Sequence, residues 1–161
     1  MIEVMKNLYV GSEIDYENVK DDGWVYVHAC KEPFHRNMVG YVSRGAPKDS
    51  PHYLFIEKDN RLALNIVDAD SPDFFDKSMI DKAIQFISDK VKGNKVLVHC
   101  NQGMSRSASI AMLYTALSGN ISNNFDEAEK EFIKLYPMYS PKQGIRGHII
   151  NNWNEYMEGK V

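Results

Sequence analysis

Val96-Leu97-Val98-His99-Cys100-Asn101-Gln102-Gly103-Met104-Ser105-Arg106-Ser107 turns a strand into a helix through one short loop. Val96 to Val98 reads as a buried strand. Ala108 to Leu117 forms helix well and is apolar on several sides, which predicts a central helix. A cysteine stands where the strand ends, and an arginine follows six positions later where the helix begins. Backbone N–H groups of such a loop, converging on a helix N-terminus, form an anion site. Only the thiolate form of a cysteine is nucleophilic, and a surrounding of amides and a guanidinium favours it. Arg106 offers a planar fork for two oxygens of one anion. Gly103 lets the backbone bend without a Cβ, Ser107 can turn a hydroxyl toward the sulfur, and His99 can orient the loop through its ring nitrogens. The bland alternative makes Cys100 a small core hydrophobe and Arg106 a solvated charge; the complete string between strand and helix weighs against it.

Strands and helices alternate on both sides of this loop. Leu8-Tyr9-Val10-Gly11 and Trp24-Val25-Tyr26-Val27 read as strands, with Ser12 capping a short helix to about Val19. Leu54–Glu57 and Arg61–Ile66 read as a strand pair across Lys58-Asp59-Asn60. Amphipathic periodicity predicts helices from about Phe75 to Val91, over Phe125, Ala128, Phe132 and Leu135, and over Ile145, Ile149, Trp153 and Tyr156. Lys31–Pro51 is polar and too long for an ordinary connector, so it is expected to be a functional or mobile loop. The alternation implies an α/β fold with the cysteine loop at the carboxyl end of a strand, where such sheets bind ligands.

At 161 residues the chain suits one domain, expected to span residues 1–161, and 43% apolar residues suffice for a core. A net charge of −3 gives no electrostatic reason to expect nucleic acid or a membrane surface as partner. The first residues lack the pattern of a signal peptide. Cys30 and Cys100 are therefore expected to be reduced thiols in a cytoplasmic setting. Oligomeric state is not readable.

The string His99-Cys100-x5-Arg106-Ser107 resembles the signature of the cysteine-dependent protein tyrosine phosphatase superfamily, and Ser105-Arg106-Ser107 resembles its dual-specificity phosphatase branch. The resemblance covers about residues 6 to 157. It implies a mixed sheet of about five strands flanked by helices. It implies a protein phosphatase that hydrolyses phosphotyrosine and phosphoserine/phosphothreonine through a phosphocysteine intermediate, with no metal and no cofactor. The roles carried over are Cys100 as nucleophile, Arg106 as phosphoryl binder and Ser107 as the hydroxyl that helps the thiolate leave. Asn101, Gln102, Gly103, Met104, Ser105 and Arg106 form the phosphate-binding loop, with His99 in support. The family's general acid lies some thirty residues upstream. Asp70 fits that place best, thirty before Cys100, with Asp68 as runner-up. The Trp-Pro-Asp of the tyrosine-specific branch is absent. The implied partner is a phosphorylated protein.

Other readings have weaker support. Enzymes of this superfamily acting on phosphoinositides carry lysines inside the loop, and this loop has none. RNA 5′-triphosphatases show Asn-Arg-Thr where this chain has Ser105-Arg106-Ser107. Cys30 is read as a core residue, with a resolving thiol as the alternative. Arg36, Lys142, Arg146 and His148 are candidates for the pocket rim, Gln143 for placing the hydrolytic water, and Phe34, Tyr41 and Tyr53 for a pocket wall.

Overall fold

A computed structural model describes residues 1–159. Short apolar runs become strands and amphipathic runs become helices, in the order β1 (Ile2–Met5), β2 (Leu8–Gly11), α1 (Glu13–Val19), β3 (Val25–His28), α2 (Arg36–Val39), β4 (Phe55–Lys58), β5 (Arg61–Leu64), α3 (Lys77–Lys90), β6 (Val96–His99), α4 (Arg106–Leu117), α5 (Phe125–Leu135) and α6 (Gln143–Glu158). One mixed sheet runs β1-β2-β6-β3-β5-β4. The four central strands are parallel, and β1 and β4 close the edges antiparallel.

A parallel sheet must be covered on both faces, and side-chain alternation divides this one accordingly. Val25, Val27, Val96 and Val98 face the larger core, with Ile80, Ile84 and Ile87 of α3 and Ile110 and Leu113 of α4. Tyr26 and Leu97 point to the opposite face, against Tyr16 and Val19 of α1. All twelve residues of α4 are buried, as its all-round apolar sequence predicts. Full burial of each large aliphatic side chain contributes roughly 1.5–3 kcal/mol.

Two expectations are sharpened. The sheet has six strands rather than about five, because Ile2–Met5 pairs antiparallel with β2. Glu3 separates Ile2 from Val4, and Asn7 makes the turn at φ 68°, a conformation Asn tolerates. Helix α3 starts at Lys77, not Phe75, because Asp76 caps it by accepting from the Ser78 N–H at 2.8 Å. The Lys31–Pro51 stretch holds an irregular helical turn at Lys31–His35 running into α2. Arg36 ties it together: its guanidinium donates to both Glu32 oxygens at 2.7 and 2.9 Å and to the Ser43 and Arg44 carbonyls at 2.6 and 3.1 Å.

Candidate active site

Strand β6 lies between β2 and β3, so the loop that follows it leaves the middle of the sheet. Cys100 is 3% exposed at the floor of a cleft of about 460 Å³ lined by Asp68, Cys100, Asn101, Gln102, Met104, Ser105, Arg106, Ser140 and Lys142. The Gly103 N–H donates to its Sγ at 3.3 Å, and the Ser107 Oγ lies at hydrogen-bond distance, 3.2 Å. Gly103 has φ +77°, and a Cβ there would stand 2.7 Å from the Gly11 carbonyl carbon and oxygen, so no other residue fits this turn unstrained.

The loop presents amides to the cleft because its carbonyls are engaged elsewhere. The Cys100 carbonyl is paired with His99 Nδ1 at 3.2 Å, and the Asn101 carbonyl accepts from the Glu13 N–H at 3.3 Å. The Gly103 carbonyl accepts from the Tyr136 hydroxyl at 2.6 Å, and the Met104 carbonyl from the Ser140 N–H at 2.8 Å. Ser105, at the N-cap of α4, makes no side-chain cap bond; its Oγ accepts from the Lys142 N–H at 2.9 Å. The first N–H groups of α4 therefore have no side-chain cap from this residue, and the positive end of the helix faces the loop.

Arg106 is 8% exposed and held at two nitrogens: Nη1 donates to the Ile66 carbonyl at 3.2 Å and Nη2 to Asn101 Oδ1 at 2.8 Å. Its buried Nε has no protein partner. The Asn101 side chain is anchored in turn, its Nδ2 donating to Glu13 Oε2 and to the Glu32 carbonyl, both at 3.0 Å. Asn101 thus aims the guanidinium through its side chain, a role the sequence reading did not foresee. Glu13 and Tyr136 also escaped that reading. The first is a helix-start carboxylate and the second one of nine tyrosines, with nothing local to distinguish them.

Of the two carboxylates after β5, Asp68 lines the cleft, whereas Asp70, favoured by sequence spacing, is exposed and outside that lining. Asp68 Oδ1 is buried without a partner, and Oδ2 lies 3.5 Å from Lys142 Nζ. The Asp68–Asp73 loop is seated on α6 through glycines. A Cβ at Gly144 would fall 2.0 Å from the Ala69 carbonyl oxygen, and one at Gly147 would fall 2.7 Å from the Pro72 ring.

Residues 25–152 match the family model for dual specificity phosphatase, catalytic domain. The chain belongs to this family. It is 30% identical to human dual specificity protein phosphatase 16 over 92% of its length, and 27% identical to mouse dual specificity protein phosphatase 8 over 93%. It spans about a fifth of the length of these two relatives. Among solved structures, human tyrosine phosphatase-like serine/threonine/tyrosine-interacting protein superposes with a TM-score of 0.65 at 18% identity, covering 98% of this chain and 97% of that one. Human DUSP28 superposes with a TM-score of 0.62 at 20% identity, covering 99% and 96%. These two likenesses show the shared dual-specificity phosphatase fold.

Within this dual specificity phosphatase domain, the remaining candidates disperse. Of the four rim candidates only Lys142 lines the cleft. Arg36 is engaged with Glu32, Arg146 forms a two-pronged pair with Glu129 at 2.8 and 3.0 Å, and His148 is buried against the Tyr156 hydroxyl at 2.7 Å. Gln143 is exposed at the start of α6, outside the cleft lining. Phe34 packs on His28, Tyr41 pairs with His35, and Tyr53 borders a different hollow, so none walls the cleft. Cys30 is free and fully buried, and burial pushes its thiol strongly up, which fits a core residue. Burial likewise raises Tyr136 to about 12, so its hydroxyl stays a donor to the loop at neutral pH. No helix among the described residues is long and apolar enough to cross a membrane.

Proposed function

We propose that this chain is a cysteine-dependent protein phosphatase domain that hydrolyses phosphotyrosine and phosphoserine/phosphothreonine through a phosphocysteine intermediate. The observation that carries this reading is the placement of Arg106 and Cys100 in one cleft: a buried guanidinium fixed at two nitrogens, its Nε–H unpartnered, and a sulfur within hydrogen-bond distance of the Gly103 N–H and the Ser107 hydroxyl. A phosphoryl oxygen is the partner that Nε lacks, and the loop amides supply the rest of the cradle.

Cys100 Sγ attacks phosphorus, forming the S–P bond as the P–O bond to the alcohol or phenol breaks. Arg106 and the amides of residues 101–106 stabilise charge on the equatorial oxygens. Asp68 gives its proton to the departing oxygen; its place in the cleft lining and its unpartnered Oδ1 favour it over Asp70. Asp68 then accepts a proton from water as water attacks phosphorus, the S–P bond breaks, and the Ser107 hydroxyl stabilises the departing thiolate. Reduced thiols suit a cytoplasmic setting, and residues 1–161 are proposed to form one catalytic unit.

The test is hydrolysis of p-nitrophenyl phosphate and of tyrosine- and threonine-phosphorylated peptides, with acid-quench trapping of labelled phosphoenzyme. Wild type should turn over both peptide classes and trap label on Cys100. Hydrolysis retained by Cys100→Ser would overturn the covalent route.

A further inference from the structure

His28 and Arg61 lie outside the cleft, on β3 and at the start of β5, yet a run of side chains joins them to the cysteine loop. The parallel register sets His28 directly beside His99. Arg61 Nε donates to His28 Nε2 at 2.9 Å, His28 Nδ1 lies 2.6 Å from His99 Nε2, and His99 Nδ1 lies 3.2 Å from the Cys100 carbonyl.

This run has one direction. A guanidinium can only donate, so His28 Nε2 must accept and the His28 proton sits on Nδ1. That proton is donated to His99 Nε2, which leaves the His99 proton on Nδ1, where it is donated to the Cys100 carbonyl. Both rings are fully buried. Tyr16 stacks on His99 at 5.1 Å and Phe34 on His28 at 4.5 Å, so neither can swing away cheaply. An added proton would set two donors face to face. The charged groups bearing on the rings agree: Arg61 from β5 opposes charge on both and Arg106 from α4 on His99, with Asp15 from α1 the counterweight there.

We propose that Arg61 and His28 are positioning residues that fix the tautomer of His99 and, through it, hold the Cys100 carbonyl away from the cleft so that the loop amides face the phosphate. The inference rests on the phosphatase reading above and adds residues remote from the reacting atoms.

The test uses histidine-labelled protein and nitrogen NMR, with tungstate binding by calorimetry and kcat/KM on p-nitrophenyl phosphate. In wild type both rings should be neutral Nδ1–H tautomers at pH 7. His28→Phe should let His99 populate the Nε2–H form, weaken tungstate and lower kcat/KM by about tenfold, less than the hundredfold that an ångström of misplacement can cost. His28→Asn keeps a donor toward His99 and should stay within about threefold on both measures. Arg61→Met should free the His28 tautomer and weaken tungstate, which carries the test should His28→Phe fail to fold. An Nε2–H His99 in wild type would overturn the proposal, as would full tungstate affinity in both His28→Phe and Arg61→Met. A wild type that hydrolyses no phosphate ester would overturn the phosphatase reading alone, since tautomers and oxyanion binding still judge the relay.

Discussion

The cysteine loop and the acid loop serve one cleft but are built in opposite ways. The cysteine loop is gripped through its carbonyls by His99, Glu13, Tyr136 and Ser140, and through Asn101 by α1. The acid loop rests on α6 by shape, its Ala69 carbonyl and Pro72 ring lying against glycines. Preorganised hydrogen bonds suit the group that must bind charge, since an oxyanion site works by not reorganising. A loop held by packing can place a proton donor with fewer fixed bonds, and its donor is correspondingly easier to displace.

Five substitutions or conditions test that contrast. Arg106→Met removes charge from the gripped loop and should lower kcat/KM on p-nitrophenyl phosphate by about a thousandfold, the upper end for losing one oxyanion stabiliser; steady-state kinetics checks it. Asp68→Asn should cost on the order of a hundredfold on phenyl phosphate, a poor leaving group, and much less on an activated ester, as expected for a lost general acid. Asp70→Asn should stay within about threefold on both substrates, because its exposed carboxylate lies outside the cleft lining and away from a leaving group bound there. A large loss in Asp70→Asn with little loss in Asp68→Asn would give the acid role to Asp70.

Gly144→Ala forces a Cβ onto the Ala69 carbonyl and should push the acid loop outward. The expected cost is about tenfold in kcat, again larger for poor leaving groups, with tungstate affinity unchanged. A matching loss of tungstate binding would show that the two loops are not independent. The smallest effect concerns pH and stability. Burial lowers His28 well below its ordinary value and His99 to about 4. Each ring then binds fewer protons folded than unfolded below about pH 6.5, so stability is full above that value and falls as pH drops toward 4. Calorimetry should show the melting temperature falling across this window. In His28→Asn the fall should be shallower, since one of the two buried rings is gone.

The strand, loop and central helix from Val96 to Leu117 were legible because every local signal agreed: apolar run, glycine turn, helix formers. The acid was not. Asp68 and Asp70 are two positions apart on an irregular loop, and which one enters the cleft depends on packing against Lys142, Gly144 and Gly147, more than seventy residues away. Spacing along the chain carries no record of that contact. The helical turns in Lys31–Val39 were not read from the sequence, although Glu32 and Arg36 stand at the i,i+4 distance that pairs on a helix. The His28–His99 contact was hidden for another reason: it depends on strand register, and each histidine alone looks like an ordinary core residue.

The outward-turned carbonyls have a thermodynamic consequence. Helix α1, the tail of α5 and the segment before α6 all end on one loop, so an oxyanion in the cleft is linked to the cohesion of elements far apart in sequence. A ligand that binds only the native arrangement raises the free energy of unfolding by RT ln(1 + [L]/Kd). An unreactive phosphate mimic should therefore slow amide hydrogen exchange at Glu13, Tyr136 and Ser140 as well as in the loop itself.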